Sequence, residues 1–140
     1  MNVGEILNYI NEIAPFAYAE EWDNAGLMAG SRTAEVRRIL LCLDITSAVV
    51  EEAVGKKADL IISHHPFLFS KLNRLDLDTV KGRQIDVLIR SGISVISAHT
   101  NLDVAQGGVN DTLAEILGLV ECQYLKAYVP AGIDTELGLG

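Results

Sequence analysis

Two of the three histidines in the chain stand side by side, in the stretch IISHHP at residues 61–66. His64 and His65 follow apolar residues that favour a strand, and Pro66 disfavours helical geometry at His65. Imidazole nitrogens bind divalent metal ions and also exchange protons near neutral pH. Metal binding is therefore the first chemistry to consider for this segment.

The orientation of the pair decides how many ions it can serve. Neighbouring side chains of an extended chain point to opposite sides, so we expect His64 and His65 to face different directions. That geometry suits two ions better than one, and two-metal hydrolytic sites hold their ions about 3.5–4 Å apart. The alternative is structural: one histidine caps a helix or bonds the backbone, and the other is simply exposed.

A second polar stretch, HTNLD at residues 99–103, contains the third histidine. Asp103 offers the oxygen ligand that nitrogen metal sites often share. His99 is the candidate for proton transfer. Asp44 has three roles open to it, as a metal ligand, as a partner of a ligand or as a helix cap, and the last two are favoured. Ser63 suggests a nucleophile, but no GxSxG motif surrounds it.

These polar groups follow apolar runs that alternate with amphipathic ones. The pattern predicts strands at 36–44, 60–63 and 93–98, with 123–129 as a candidate fourth, and helices at 3–14, 46–57, 78–90 and 109–117. Residues 17–30, which mix acidic residues with glycines, are interpreted as a loop. The prediction is an α/β fold: a mostly parallel or mixed sheet flanked by helices on both faces.

The predicted sheet explains why the polar groups matter together. In open α/β sheets, ligands gather beyond the carboxyl ends of the parallel strands. The three predicted strands end at Asp44, at His64-His65 and at His99. If the strands are neighbours, their polar ends converge at one edge of the sheet.

Composition narrows the class of protein. A length of 140 residues predicts one domain, and 49% hydrophobic with 21% charged residues is an ordinary globular composition. The formal charge of −8 argues against nucleic acid or an anionic membrane as the main partner. Cys42 and Cys122 show no CxxC spacing, and Cys42 is interpreted as a buried free thiol. We expect a reducing, cytoplasmic location and no membrane partner.

Four stretches together resemble one family: EEWDNAGLMAG, DLIISHHPFLF, SAHTNLDVAQGGVNDTLAEILGL and the closing LGLG. The chain is similar over essentially its whole length to the Nif-three-like dinuclear metal-centre proteins, often named GTP cyclohydrolase 1 type 2 homologues. The resemblance implies two divalent cations in a cleft (Zn, Mn, Fe or Ni). It assigns His64 and Asp103 to one ion and His65 to the other. It places the following residues near the pocket: His99, Trp22, Asp23 and Asn24.

For function, the resemblance implies a metal-dependent hydrolase that acts on a nucleotide-like or phosphorylated small molecule. The alternative is a metal-stabilised oligomeric scaffold or regulatory interaction module without turnover. The resemblance implies a ring-shaped homohexamer, so we expect this protein to self-associate.

One departure from the family limits this expectation. The family takes a further histidine and a bridging glutamate from an HxxxE pattern near the C-terminus of a longer chain, whereas no histidine follows His99 here. We therefore expect residues 1–140 to be a single α/β domain, the N-terminal part of a longer metal-binding protein and one half of the family's fold. Alone, this chain should be poorly active or inactive.

Overall fold

A four-stranded mixed sheet forms the centre of the computed structural model, which describes residues 1–124, 126–128 and 137–139. Its strands are β1 Gly26–Ala29, β2 Ile39–Cys42, β3 Leu60–Ser63 and β4 Ser94–Ser97. Their order across the sheet is β1-β4-β3-β2. The three predicted strands are neighbours and parallel, while β1 runs antiparallel to β4. The predicted α/β class and mixed sheet are confirmed.

The described part of the chain also contains five α-helices and one short 3-10 turn. They are α1 Val3–Ile13, the 3-10 turn Phe16–Tyr18, α2 Ser47–Gly55, α3 Val80–Arg90, α4 Thr100–Val104 and α5 Val109–Leu117. Two further strands, β5 Lys126–Tyr128 and β6 Leu137–Leu139, form a separate antiparallel pair. β5 falls within the fourth strand predicted at 123–129, although residues 125 and 129 lie outside the described residues. No described helix has both the length and the apolarity that a membrane span requires.

The first helix begins where its sequence predicts. Asn2 accepts a hydrogen bond at Oδ1 from the backbone N–H of Glu5, at 2.9 Å, and its own N–H donates to Glu5 Oε2 at 2.7 Å. This capping box satisfies two backbone donors that the first turn would otherwise leave unpaired. Its apolar positions then recur at helical spacing and are buried: Val3, Ile6, Leu7 and Ile10.

Helices cover both faces of the sheet, as predicted. Successive residues of a strand point to opposite faces, so Leu60 and Ile61 belong to different cores. On one side, Leu60 and Ile96 pack with α1. On the other side, Ile61 and Val95 pack with residues of α2 and α3. The strand ends that carry the polar residues are thus fixed by packing from above and below.

The prediction of a loop over residues 17–30 was wrong, because the segment contains the edge strand β1. β1 pairs with β4, for example Leu27 opposite Ile96, and its side chains pack against the cores on both faces, contacts that local composition cannot reveal. Gly26 begins the strand and Gly30 directly follows it, at φ +116° and +101°, conformations that favour glycine. At Gly30 a side chain would also collide with Ser94. The glycines that suggested a loop permit the strand.

Other element bounds also moved. β2 covers only Ile39–Cys42 of the predicted 36–44, because the backbone N–H groups of Arg37 and Arg38 bond Asp59 Oδ2 instead, each at 2.9 Å. α3 begins at Val80, after Thr79 as its cap, where we predicted residue 78. The helix α4 was not predicted, since residues 99–103 were interpreted only as a polar strand end.

Candidate metal centre

The three histidines of the chain lie together at the carboxyl edge of the parallel strands. His64 and His65 directly follow β3, and His99 lies between β4 and α4. Their ring centroids are 5.1 Å apart for His64–His65, 5.1 Å for His64–His99 and 5.6 Å for His65–His99. One nitrogen from each ring lies within 4.8 Å of the others. The convergence expected from the strand pattern is present.

The expectation that His64 and His65 face opposite directions was wrong, because the strand ends at Ser63 and the chain bends. Ser63 Oγ donates to the carbonyl oxygen of His65 at 2.8 Å, which curls the backbone around the serine. The N–H groups of His64 and His65 still donate to the end of β2, to the carbonyl oxygens of Cys42 (3.2 Å) and of the following residue, Leu43 (3.0 Å). Both rings consequently reach the same cluster.

His64 has a defined tautomer. Its Nδ1 lies 3.0 Å from the carbonyl oxygen of Ala98, and a carbonyl can only accept, so Nδ1 carries the proton. Its Nε2 faces Asp103 Oδ1 at 3.6 Å. That separation is long for a hydrogen bond. It is close to the distance of about 3.3 Å between two ligands of a tetrahedral zinc with bonds of about 2.0 Å.

His65 is oriented by a carboxylate. Its Nδ1 donates to Asp44 Oδ1 at 2.7 Å, and both side chains are about half exposed. Of the roles left open for Asp44, partner of a candidate ligand is the one that this contact supports. The capping role belongs to Thr46, whose Oγ1 accepts from the N–H of Val49 at 3.3 Å.

His99 is oriented by a buried carboxylate. Its Nδ1 donates to Asp23 Oδ1 at 2.9 Å, and the Asp23 side chain is 0% exposed. Asp23 Oδ2 accepts from both the backbone N–H and the hydroxyl of Thr100, and Oδ1 also accepts from the N–H of Asn24. Burial acts to raise the pKa of Asp23, but the hydrogen bonds from Thr100, His99 and Asn24 outweigh it and lower this pKa below its ordinary value. Asp23 is therefore a charged acceptor at neutral pH.

One feature is common to the three imidazoles. Each Nδ1 faces an oxygen, of Ala98, Asp44 or Asp23, which leaves each Nε2 as the free nitrogen. Histidines that bind metals usually donate their other ring N–H to a carboxylate or a carbonyl, because this fixes the ring and raises its basicity. The donor set of this cluster therefore fits a divalent cation.

The loop that contains Trp22 lies at the rim of the cluster. The Trp22 ring meets His99 edge to face, at a centroid distance of 6.2 Å. Asn24 Nδ2 donates to the carbonyl of Leu68 and so joins this loop to the one after the histidine pair. The sequence did not single out Thr100 or Phe69, whose ring lies 6.1 Å from that of Trp22. Both lie within stretches that the sequence analysis quoted without giving them a role, Thr100 in HTNLD and Phe69 in DLIISHHPFLF.

Two residues near the cluster have structural roles. Ser63 is 1% exposed, and its hydroxyl bonds the His65 carbonyl and Ser97 Oγ, so it has no access to a substrate. Cys42 is a free thiol, half-buried rather than fully buried. Burial raises the pKa of Cys42, and the charge of Asp44 raises it further. Neither side chain has the geometry of a nucleophile.

Comparisons with known proteins agree with the resemblance of the motifs. The sequence matches the family described as Duf34/NIF3 (NGG1p interacting factor 3) over residues 1–140. A GTP cyclohydrolase 1 type 2 homolog of Clostridium perfringens is 44% identical over 140 residues, which is 100% of this chain and 52% of that protein. The chain thus spans about half the length of this curated relative.

Two solved structures share the fold. A Bacillus cereus protein related to NIF3 is 40% identical with a TM-score of 0.86, over 92% of this chain and 35% of the other. Reduced HcgD from Methanocaldococcus jannaschii is 32% identical with a TM-score of 0.84, over 90% of this chain and 50% of the other. With a family match over every residue and relatives of this similarity, the chain belongs to the Duf34/NIF3 family.

Proposed function

We propose that this chain is the N-terminal part of a longer protein that binds two divalent metal ions. We further propose that the complete protein is a metal-dependent hydrolase acting on a nucleotide-like or phosphorylated small molecule. The observation that supports this is the cluster of His64, His65 and His99, in which every Nδ1 faces an oxygen and every Nε2 is the nitrogen left to bind a ligand.

In this proposal, His64 and Asp103 hold one ion and His65 holds the second. The 3.6 Å approach of His64 Nε2 to Asp103 Oδ1 supports the first pair. Imidazole nitrogen with carboxylate oxygen suits Zn, Mn, Fe or Ni. Further ligands come from the part of the complete protein beyond these residues.

The residues around the ligands have separate tasks in the hydrolysis. A divalent ion at this site supplies Lewis acidity toward water and toward a substrate oxygen. Asp23 holds the proton on His99 Nδ1, which leaves Nε2 free to accept a proton from an attacking water and to return it to the leaving group. Asp44 orients His65 in the same way that Asp23 orients His99.

An activity screen of the complete protein tests this proposal. Nucleotides and phosphorylated metabolites are incubated with protein loaded with Mn, Fe, Ni or Zn. The expected result is turnover that His64→Ala abolishes while circular dichroism shows an unchanged fold. Asp86→Asn, on the far helix α3, is the control and should retain turnover. Turnover that survives His64→Ala would contradict the proposal, and so would robust hydrolysis by residues 1–140 alone.

A scaffold without turnover is the second candidate, and the surface of α5 favours it. The apolar positions of this helix recur at i, i+4, i+7 and i+8, and all are exposed: Val109, Leu113, Ile116 and Leu117. Such a stripe normally packs against a partner. We propose that copies of the protein self-associate, as a hexamer in the complete protein. Sedimentation of the complete protein, with and without Ile116→Glu, tests this; a monomer at all concentrations would contradict it.

We also propose a cytoplasmic location. Both cysteines of the chain, Cys42 and Cys122, are free thiols. Free thiols persist where glutathione and thioredoxin keep the compartment reducing. Fractionation of cells that express the tagged complete protein tests the location, and recovery outside the cytoplasm would contradict it.

A further inference from the structure

Two large aromatic rings stand exposed beside the histidine cluster. Trp22 is 60% exposed and Phe69 is 53% exposed, although they are in van der Waals reach of one another. Their centroids are 6.1 Å apart and their planes meet at 66°. A single exposed apolar residue needs no explanation. Two adjacent exposed rings at the rim of a polar site do need an explanation, because exposing aromatic faces to water is unfavourable.

The loop that presents Phe69 is held at several points. The carbonyl of Leu68 accepts from Asn24 Nδ2, and the carbonyl of Phe67 accepts from Lys81 Nζ at 2.9 Å. The Lys81 ammonium also lies 3.9 Å from the centroid of the Phe67 ring, which is itself buried. Phe69 therefore projects from a backbone that is fixed on both sides of Leu68.

The loop that presents Trp22 is also held by side-chain hydrogen bonds. The next residue, Asp23, is buried and bonds both His99 and Thr100. The Trp22 ring meets His99 at a centroid distance of 6.2 Å and an angle of 77°, so it contacts both His99 and Phe69. A molecule that lies on Trp22 is therefore close to the histidine cluster.

We propose that Trp22 and Phe69 form an aromatic corner that binds the planar heteroaromatic ring of the substrate, a fused-ring nucleobase. This inference rests on the proposed function and adds to it the part of the substrate that the chain recognises. Rings that meet at 66° cannot enclose a third ring as a sandwich. A flat ring stacked on one of them instead meets the other edge to face, which is a favourable aromatic geometry. Stacking of this kind is a common means of binding bases.

The charge of the site indicates which part of a nucleotide the metal-free chain can bind. Asp23, Asp44 and Asp103 all lie at the cluster, and the chain carries a formal charge of −8. These carboxylates repel a phosphate in the absence of a cation. The ring of a neutral nucleoside should therefore bind to the metal-free chain, and a phosphate should not add affinity there.

Trp22 makes the inference directly measurable, because it is the only tryptophan of the chain. Metal-free protein is titrated with inosine, with inosine monophosphate and with ribose, while tryptophan fluorescence is recorded with excitation at long wavelength. The expected result is saturable quenching by inosine, no tighter binding of the monophosphate, and no response to ribose. Absence of saturable quenching by inosine would overturn the proposal.

Variants distinguish a specific loss of binding at the aromatic corner from a general effect on the fold. Phe69→Ala should weaken the binding of inosine about tenfold. Asn24→Ala should also weaken it, since it releases the loop that presents Phe69. Tyr9→Ala removes an equally exposed aromatic side chain from α1 and should leave the affinity unchanged. Equal affinities of Phe69→Ala and the original chain would contradict the proposal.

Two further outcomes are informative. If the corner is instead covered by a second copy, tryptophan fluorescence will shift with protein concentration and inosine will have no effect, which overturns the proposal. The titration contains no metal, so its failure is distinct from a failure of the metal proposal, which metal analysis measures separately.

Discussion

His99 donates a hydrogen bond from Nδ1 to Asp23 Oδ1, 76 residues away in the sequence, with 2.9 Å between nitrogen and oxygen. The contact joins the two ends of the functional region, because Asp23 precedes β1 and His99 follows β4. It sets the direction of the imidazole and leaves its second nitrogen facing His64 and His65. The candidate site therefore depends on a buried charge outside the histidine motifs.

Replacing Asp23 by asparagine should disturb this orientation without changing the shape of the side chain. An amide offers one acceptor and one donor where the carboxylate offers two acceptors, so His99 and Thr100 compete for the remaining oxygen. We expect the His99 ring to lose its fixed tautomer and affinity for Zn²⁺ to fall about 10- to 100-fold. Nitrogen chemical shifts of the imidazole and calorimetric titration with Zn²⁺ check these outcomes.

Asp86→Asn is the matched control for that experiment. Asp86 also bonds a basic side chain, Arg90 Nε at 2.7 Å, but it lies on α3. Its replacement should leave both the tautomer of His99 and the Zn²⁺ affinity unchanged. An unaltered tautomer in Asp23→Asn would show that Asp23 does not orient the ring.

Ser63→Ala should destabilise the fold and weaken the candidate site together. The buried Ser63 hydroxyl donates to the His65 carbonyl at 2.8 Å and pairs with the buried Ser97 hydroxyl at 2.9 Å. Leaving a buried hydroxyl such as that of Ser97 without this partner costs about 1–3 kcal/mol of the free energy of unfolding. We expect that loss in urea denaturation, together with weaker binding of Zn²⁺.

Ser94→Ala is the comparison for Ser63→Ala. Ser94 is equally buried and belongs to β4, but it lies at the opposite end from Ser97, beside Gly30. Its replacement should leave Zn²⁺ affinity intact whatever its effect on stability. If the two variants bind Zn²⁺ equally well, the turn at Ser63 does not position His65.

Sequence patterns predicted the parts of the fold that depend on local periodicity. β3 has the bounds that were predicted, 60–63, and the capped helix α1 begins as predicted at Val3. The convergence of His64 and His99 followed from the general rule that ligands collect at the carboxyl ends of parallel strands. These features need only the sequence near each element.

Two of the features that were missed depend on contacts between distant segments, and the third depends on a local side-chain hydrogen bond that a strand pattern does not predict. β1 is a strand because Leu27 pairs with Ile96, although its own glycines suggest a loop. The orientation of His65 depends on the bond from Ser63 that bends the chain after β3. Phe69 became a candidate only when its loop was found to meet Trp22. Local propensity carries no information about such pairings.

Acid should remove the stabilising effect of Asp59. The backbone N–H groups of Arg37 and Arg38 hold the pKa of Asp59 below its ordinary value of 3.8, against a smaller opposing effect of burial. A lowered pKa in the folded state stabilises the protein above the ordinary value, and this contribution is lost as pH falls through the lowered pKa. The difference in free energy of unfolding between the original chain and Asp59→Asn should stay constant from pH 7 to about pH 5 and shrink below about pH 4.

Urea denaturation at a series of pH values measures that difference. Asp86→Asn, measured in parallel, controls for the loss of one surface charge. A difference for Asp59→Asn that persists undiminished to pH 3 would mean that the charge of Asp59 is not what stabilises the fold.

Gln84→Leu should stabilise the protein. Gln84 is 7% exposed, and its Oε1 has no hydrogen-bond partner among the described residues, while Nε2 donates only a 3.3 Å bond to Ser47. A leucine of similar size removes the unsatisfied acceptor, so we expect a gain of about 1 kcal/mol in the free energy of unfolding. Gln84→Glu, which buries a charge at the same place, should be destabilising. A loss of stability in Gln84→Leu would show that the amide is satisfied in solution.

Metal analysis of the complete protein tests the central claim most directly. After loading with Zn²⁺ or Mn²⁺ and removal of excess ion, mass spectrometry of the metal content should give two ions per chain. His65→Ala and Asp103→Ala should each lose bound metal, while Asp86→Ala should retain it. Stoichiometric metal in both His65→Ala and Asp103→Ala would contradict the account.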